Sequence, residues 1–191
     1  MDSNIRTDIL YRLRWNLRAE LHEVKIAVGP VNEEKLVSLF DHPAADMNFT
    51  CTLPGVSRLE VASNECLQKY ELSHDGTPEP NGYQLPPSLS IENGDGKPIT
   101  IRQFITEVHA YMDENMSETK RALRGRYLPW VEDMIFFRCV YTSESGGGNL
   151  RVCVSVIPGM DQEKTEKFWA TQVSQARIRH RYLEGSKSLY E

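Results

Sequence analysis

From about Ser3 to Val28, Ile5, Ile9, Leu13, Leu17, Leu21 and Val24 recur at spacings of three and four, which lines one face of a helix. Arg6, Arg12, Arg14 and Arg18 fall off that stripe, and Asp8, Glu20 and Glu23 interleave with them. This mixture predicts a long packed helix, not a membrane-surface one. Gly29-Pro30 ends it, and Asn32 offers a cap to a second helix carrying Leu36, Leu39 and Phe40, which His42-Pro43 stops. Phe49, Cys51 and Leu53 alternate with polar residues and predict a short strand. Ser57-Arg58-Leu59-Glu60 reads as a capping box with Val56 and Val61 as its staple, predicting a helix over about 58–71.

Residues 74–88 hold Gly76, Pro78, Pro80, Gly82, Pro86 and Pro87, breakers that no helix or central strand accommodates. The chain reads as a single domain over 1–191, and any internal boundary falls in this connection, between a helical part and an α+β part. Beyond it, a short apolar strand at 88–91 meets the turn chemistry of Asn93-Gly94-Asp95-Gly96. Thr100 and Gln103 form a second capping box, opening a helix to about Asn115 with Ile101, Phe104, Ile105, Val108 and Met112 on one face. A short helix over 117–123 follows, stopped by Gly125.

Met134–Thr142 and Leu150–Ile157 read as a β-hairpin whose loop holds Gly146-Gly147-Gly148. Pairing Tyr141 with Leu150 puts Ile135, Phe137, Cys139 and Tyr141 on one face with Leu150, Val152, Val154 and Val156. Arg138, Arg151, Cys153 and Ser155 then share the other face, and Cys139 and Cys153 point apart. The last helix runs from Asp161 to about Glu184 with Gly185 as its terminator. The pattern predicts an α+β fold, a small antiparallel sheet containing the C-terminal hairpin and covered by several helices in a two-layer sandwich.

Composition narrows the function classes. The 191 residues are 40% hydrophobic and 26% charged, ordinary for a packed globular chain. A net charge of −5 disfavours a general grip on nucleic acid or anionic membrane. The longest apolar runs, such as Met134–Phe137, are too short to span a bilayer, and Met-Asp-Ser-Asn-Ile-Arg is no apolar leader. A cytoplasmic or nuclear setting is the expectation. Cys51, Cys66, Cys139 and Cys153 form no Cys-x-x-Cys pair and are expected as reduced thiols, with no metal site. No phosphate-binding loop, dinucleotide-binding glycine pattern, zinc-peptidase helix motif or serine elbow occurs, so no cofactor is expected.

Weaker constellations remain. A helical step of about 100° per residue sets Arg102, His109 and Asp113 along one edge of the helix that Thr100 opens. Asp113 could orient the His109 imidazole, and Arg102 could hold an anionic oxygen. On the hairpin, Arg138 and Arg151 on a partly apolar face suit a carboxylate-bearing ligand or ion pairs with helix acids. Cys153 between them is a nucleophile without an evident base. Tyr111, Trp130, Tyr141 and Trp169 could line a hydrophobic cavity. Arg177, Arg179, His180 and Arg181 suit the C-terminal end of the last helix through its dipole, and an acidic chain makes RNA binding there the lesser reading.

These readings converge on a cofactor-independent small-molecule enzyme of isomerase, cyclase or dehydratase type. His109, Asp113 and Tyr141 would supply acid/base chemistry, and Arg102, Arg138, Arg151 and Trp169 would bind the substrate, hydrophobic or carboxylate-bearing. The competing expectation is a non-catalytic module that presents its terminal helices to a protein partner or a second copy of the chain, exposing Leu13, Leu17 and Leu21.

Overall fold

A computed structural model of the chain describes residues 5–30, 33–52, 54–73, 83–124, 131–143 and 150–187. Its helices are α1 (Thr7–Leu10), α2 (Asn64–Ser73), α3 (Ile101–Glu114), α4 (Met116–Leu123) and α5 (Gln162–Lys187). Strands β1 (Leu13–Arg14), β2 (Lys25–Val28) and β3 (Lys35–Ser38) form one antiparallel sheet. Strands β4 (Arg58–Ser63), β5 (Leu89–Glu92), β6 (Val131–Ser143) and β7 (Leu150–Gly159) form a second, in the order β5-β4-β7-β6. The fold is α+β, as the sequence pattern predicts. The hairpin's sheet is mixed, not purely antiparallel, because β4 runs parallel to β7.

The expected N-terminal helix is replaced by α1, β1, a 3-10 turn at Leu21–Glu23 and β2. Trp15 explains why. It lies off the helical stripe yet is wholly buried, and Leu13, Trp15 and Leu17 then follow the period of two that a strand requires. Leu17 N–H donates to Ile135 O at 2.8 Å and Phe137 N–H to Trp15 O at 3.0 Å, so 15–17 runs along the outer edge of β6. Leu13 and Leu17 are therefore core residues and Leu21 packs against the core, so the partner-binding helix face expected of them is not formed.

The second expected helix is β3. Gly29-Pro30, read as a helix stop, begins the turn between β2 and β3. Gly29 has φ of 98°, and an added Cβ would lie 3.2 Å from Glu33 O, so glycine suits this position. The expected strand around Cys51 reduces to isolated bridges, Ile5 to Thr50 and Asn48 to Thr100. The Ser57 capping box is not used either, because Arg58–Ser63 alternates and becomes β4, held between β5 and β7. The helix starts at Asn64, where Ser63 Oγ accepts the Cys66 N–H at 3.4 Å.

Downstream, local signals and structure agree. β5, the Asn93–Gly96 turn, α3 and α4 fall where expected, and Thr100 Oγ1 accepts the Gln103 N–H at 3.2 Å. The Gln103 side chain does not close the box; it donates to Asn93 Oδ1 at 2.8 Å and ties the helix start to the turn. Ile101, Phe104, Ile105, Val108 and Met112 enter one cluster with Leu59, Val61, Val152, Val154 and Val156, which also takes in Ile5, Trp15 and Ile26.

α5 continues past Gly185, so that glycine is not its terminator and Arg177–Arg181 is not its end. Arg14 donates twice to Glu166, at 3.0 and 2.9 Å, Arg177 pairs with Glu34, and His180 Nδ1 lies 3.6 Å from Asp8 Oδ2. No helix among the described residues is long and apolar enough to cross a membrane. The glycine triplet, Trp130, Asn32, Leu53, Gly125 and residues 74–82 lie outside the described residues.

Candidate functional site

The hairpin register differs from the expected one, and the difference builds the site. Tyr141 sits opposite Cys153, not Leu150, and Cys139 sits opposite Ser155. Between Phe137, opposite Val156, and Cys139 the register shifts by one residue, so Arg138 is the extra residue of a β-bulge. Before the bulge, Ile135 and Phe137 face the core; after it, Val140 does. Cys139 and Tyr141 are thereby turned to the second face, together with Arg151, Cys153 and Ser155. Cys139 and Cys153 thus share a face, contrary to the expected register, and none of the four cysteines is disulfide-bonded to another.

Two helices border this face. Phe136 lies on it, and Trp169 of α5 packs edge-on to that ring at 5.4 Å, with the neighbouring Phe168 ring tilted against Trp169 at 4.9 Å. Gln172 of α5 donates to the Arg138 carbonyl, the backbone group that the bulge leaves out of the ladder. Where β4 gives way to α2, the Val156 N–H loses its strand acceptor. The Glu65 carboxylate takes it at 3.2 Å and also accepts from Ser155 Oγ at 2.7 Å.

Glu65 is only 4% exposed, and burial pushes its carboxyl above the ordinary range, against hydrogen bonds from Ser155, Asn64 and Val156. Cys139 comes next: burial raises its thiol, opposed by hydrogen bonding with Tyr141 and Ser155 and by the Arg138 charge. Tyr141 ends the series at the surface, 42% exposed. Hydrogen bonding to Cys139, then burial, push its hydroxyl up to about 12, so at neutral pH it is a proton-bearing donor. Tyr141, Cys139, Ser155 and Glu65 therefore form a polar line from solvent to a buried acid. Cys153 is also pushed up by burial, against the Arg151 charge, which leaves a thiol and removes the nucleophile reading.

The Arg102, His109 and Asp113 group does not converge. Arg102 clamps Asp46 at 2.8 and 3.3 Å, donates to Phe40 O at 3.0 Å and covers the Phe40 ring. His109 Nδ1 accepts the Trp15 indole N–H at 3.1 Å, and burial lowers its pKa despite Asp113 and Glu20. Asp113 is turned to Arg18 at 3.5 Å. Each of the three holds a separate packing contact. Tyr111 is mostly buried on α3, its hydroxyl pushed up to about 12 by burial.

The structure thus gathers Tyr141, Arg138, Arg151 and Trp169 along one face with Ser155, which the sequence pattern also put beside the arginines, and adds Glu65 and Cys139, which sequence reasoning did not assign to it. Glu65 resembles any acid in a first helical turn. Only the β4–β7 register reveals it as buried against Ser155. Among the described residues, no group of three or more His, Cys, Asp or Glu is placed to hold a metal ion. Compared with known proteins, the chain matches no family model, no curated protein and no solved structure.

Proposed function

We propose that the chain is a cofactor-independent enzyme of isomerase, cyclase or dehydratase type that moves a proton on a carboxylate-bearing small molecule. The supporting observation is the line of four side chains from exposed Tyr141 through Cys139 and Ser155 to buried Glu65. Tyr141 is the catalytic residue of this reading, and Cys139, Ser155 and Glu65 carry its proton inward. As Tyr141 oxygen takes a proton from substrate carbon, its own proton passes to the Cys139 sulfur. The thiol proton passes to Ser155 Oγ and the hydroxyl proton to the Glu65 carboxylate. The electron pair of the broken C–H bond stays on the substrate as an enolate, whose oxygen the adjacent Arg138 charge favours. Return of the proton along the same line to another carbon completes an isomerisation, and its return to a departing β-hydroxyl, which leaves as water while the enolate electrons form the C=C bond, completes a dehydration. His109 and Asp113 have no role here, because their contacts hold Trp15 and Arg18.

Proton exchange in heavy water, followed by NMR over a panel of 2-oxo, 3-hydroxy and unsaturated acids, tests the reading. The wild-type chain should exchange substrate C–H protons. Glu65→Gln, whose amide can both accept from Val156 N–H and bond Ser155, should lower the rate about a hundredfold with circular dichroism unchanged, as should Tyr141→Phe. No exchange on any member of the panel, or undiminished rates in both variants, would sink it.

A further inference from the structure

The hairpin puts two cations on the second face, and their spacing defines a ligand; Arg58 of β4, on the same face, is paired with Glu92. Arg138 stands at the bulge beside Tyr141 and Cys139, and its charge acts on both. Arg151 sits opposite Ser143 at the hairpin end of the same face, and its charge acts on Cys153. With a strand rise of roughly 3.3 Å per residue, about 15 Å of strand separates the two Cα atoms, with Tyr141 between them. An arginine side chain is long enough that two of them, turned toward each other across Tyr141, would leave a gap that a small linear molecule spans.

Arg151 supplies a second, independent observation. Its Nε is buried and meets no hydrogen-bond acceptor. A buried guanidinium N–H without an acceptor is costly, and a carboxylate oxygen is the acceptor its fork fits best. Glu60 is the ladder neighbour of Arg151 on β4, a like charge to any incoming anion.

We infer that the ligand of this face is a linear dicarboxylate, one carboxylate on Arg151 and the other on Arg138, with its central carbons over Tyr141. The inference rests on the proton-transfer reading only for the choice of face. Two anionic ends set the ligand's register, and the middle of its chain, not its end, meets the Tyr141 hydroxyl. A monocarboxylate engages one arginine and is not registered in this way.

Calorimetric titration of the whole chain with acetate, succinate and adipate at matched ionic strength tests it. Adipate should bind roughly tenfold or more tighter than acetate. Arg138→Gln and Arg151→Gln should each reduce adipate to the acetate level, Arg151→Lys should keep charge but lose much of the gain, and Glu60→Gln should tighten adipate binding. Equal affinity for acetate and adipate overturns the inference, as does undiminished adipate binding in either glutamine variant. Selective adipate binding without proton exchange on any acid overturns the proton-transfer reading alone; exchange on monocarboxylates without selective adipate binding overturns the dicarboxylate assignment alone.

Discussion

The bond from Trp15 Nε1–H to His109 Nδ1 fixes the imidazole proton on Nε2 and makes the neutral ring part of the packing. Burial lowers the His109 pKa below 6.5, so the unfolded chain takes the proton first. Stability should therefore fall as pH drops through about 6.5 and level off once the folded imidazole also titrates. Urea unfolding at about pH 7.5 and about pH 5.5 should show this loss in the wild type and a smaller one in His109→Gln, which keeps an acceptor for the indole. An identical loss in both proteins would refute the assignment. Glu65 has the opposite sign. Its raised pKa makes the folded chain favour the neutral acid, a contribution complete below 4.5 and lost as pH rises through the folded value. Glu65→Gln should flatten that part of the stability profile. In the proposed reaction the proton ends on the Glu65 carboxylate, so turnover should rise with pH through the same raised value, and a flat wild-type profile there would exclude Glu65 as its end.

At the scale of elements, one inserted residue decides which face Cys139 and Tyr141 occupy. Without Arg138 in the bulge, the period of two would send Cys139 and Tyr141 into the core and Val140 outward. The end of β7 is equally constrained: a Cβ on Gly159 would lie 2.5 Å from Met134 Cβ and 3.2 Å from Met134 O. Gly159→Ala should cost about 1–3 kcal/mol, read as a lower urea midpoint, and an unchanged midpoint would show that β6 yields there freely. Elements with local signals were legible in sequence: the Thr100 cap, the Asn93–Gly96 turn, the hairpin strands and α5. The N-terminal third was not, since Leu13 and Leu17 satisfy a period of four as well as two, and only burial of Trp15 against Phe137 chooses between them. The site was half legible for the same reason. Arg138, Tyr141 and Arg151 lie on one hairpin, whereas Glu65 reaches Ser155 through a pairing remote in sequence that no local pattern encodes.

Across the whole molecule, α5 is the element that joins the N-terminal sheet to the second face of the C-terminal one. Its ion pair to Arg14 is partly exposed, and Glu166 is 53% accessible, so the charge contributes little. Trp169, 4% exposed and edge-on to Phe136 of β6, anchors the helix there. Trp169→Ala should cost about 3–5 kcal/mol in chemical unfolding and Glu166→Ala under about 1 kcal/mol; comparable losses would show that charge holds the helix instead. The pairing of β4 with β7 has a consequence for how the protein comes into being. Leu59 lies opposite Leu150, so during synthesis β4 and α2 leave the ribosome long before β7 exists. Until the hairpin is translated, β4 has an unpaired edge for chaperones to shield, and Glu65 has neither Ser155 nor Val156 to bond. The proposed proton path is thus completed only once the hairpin is made, and a nascent chain interrupted before it carries Glu65 without Tyr141, Cys139 or Ser155.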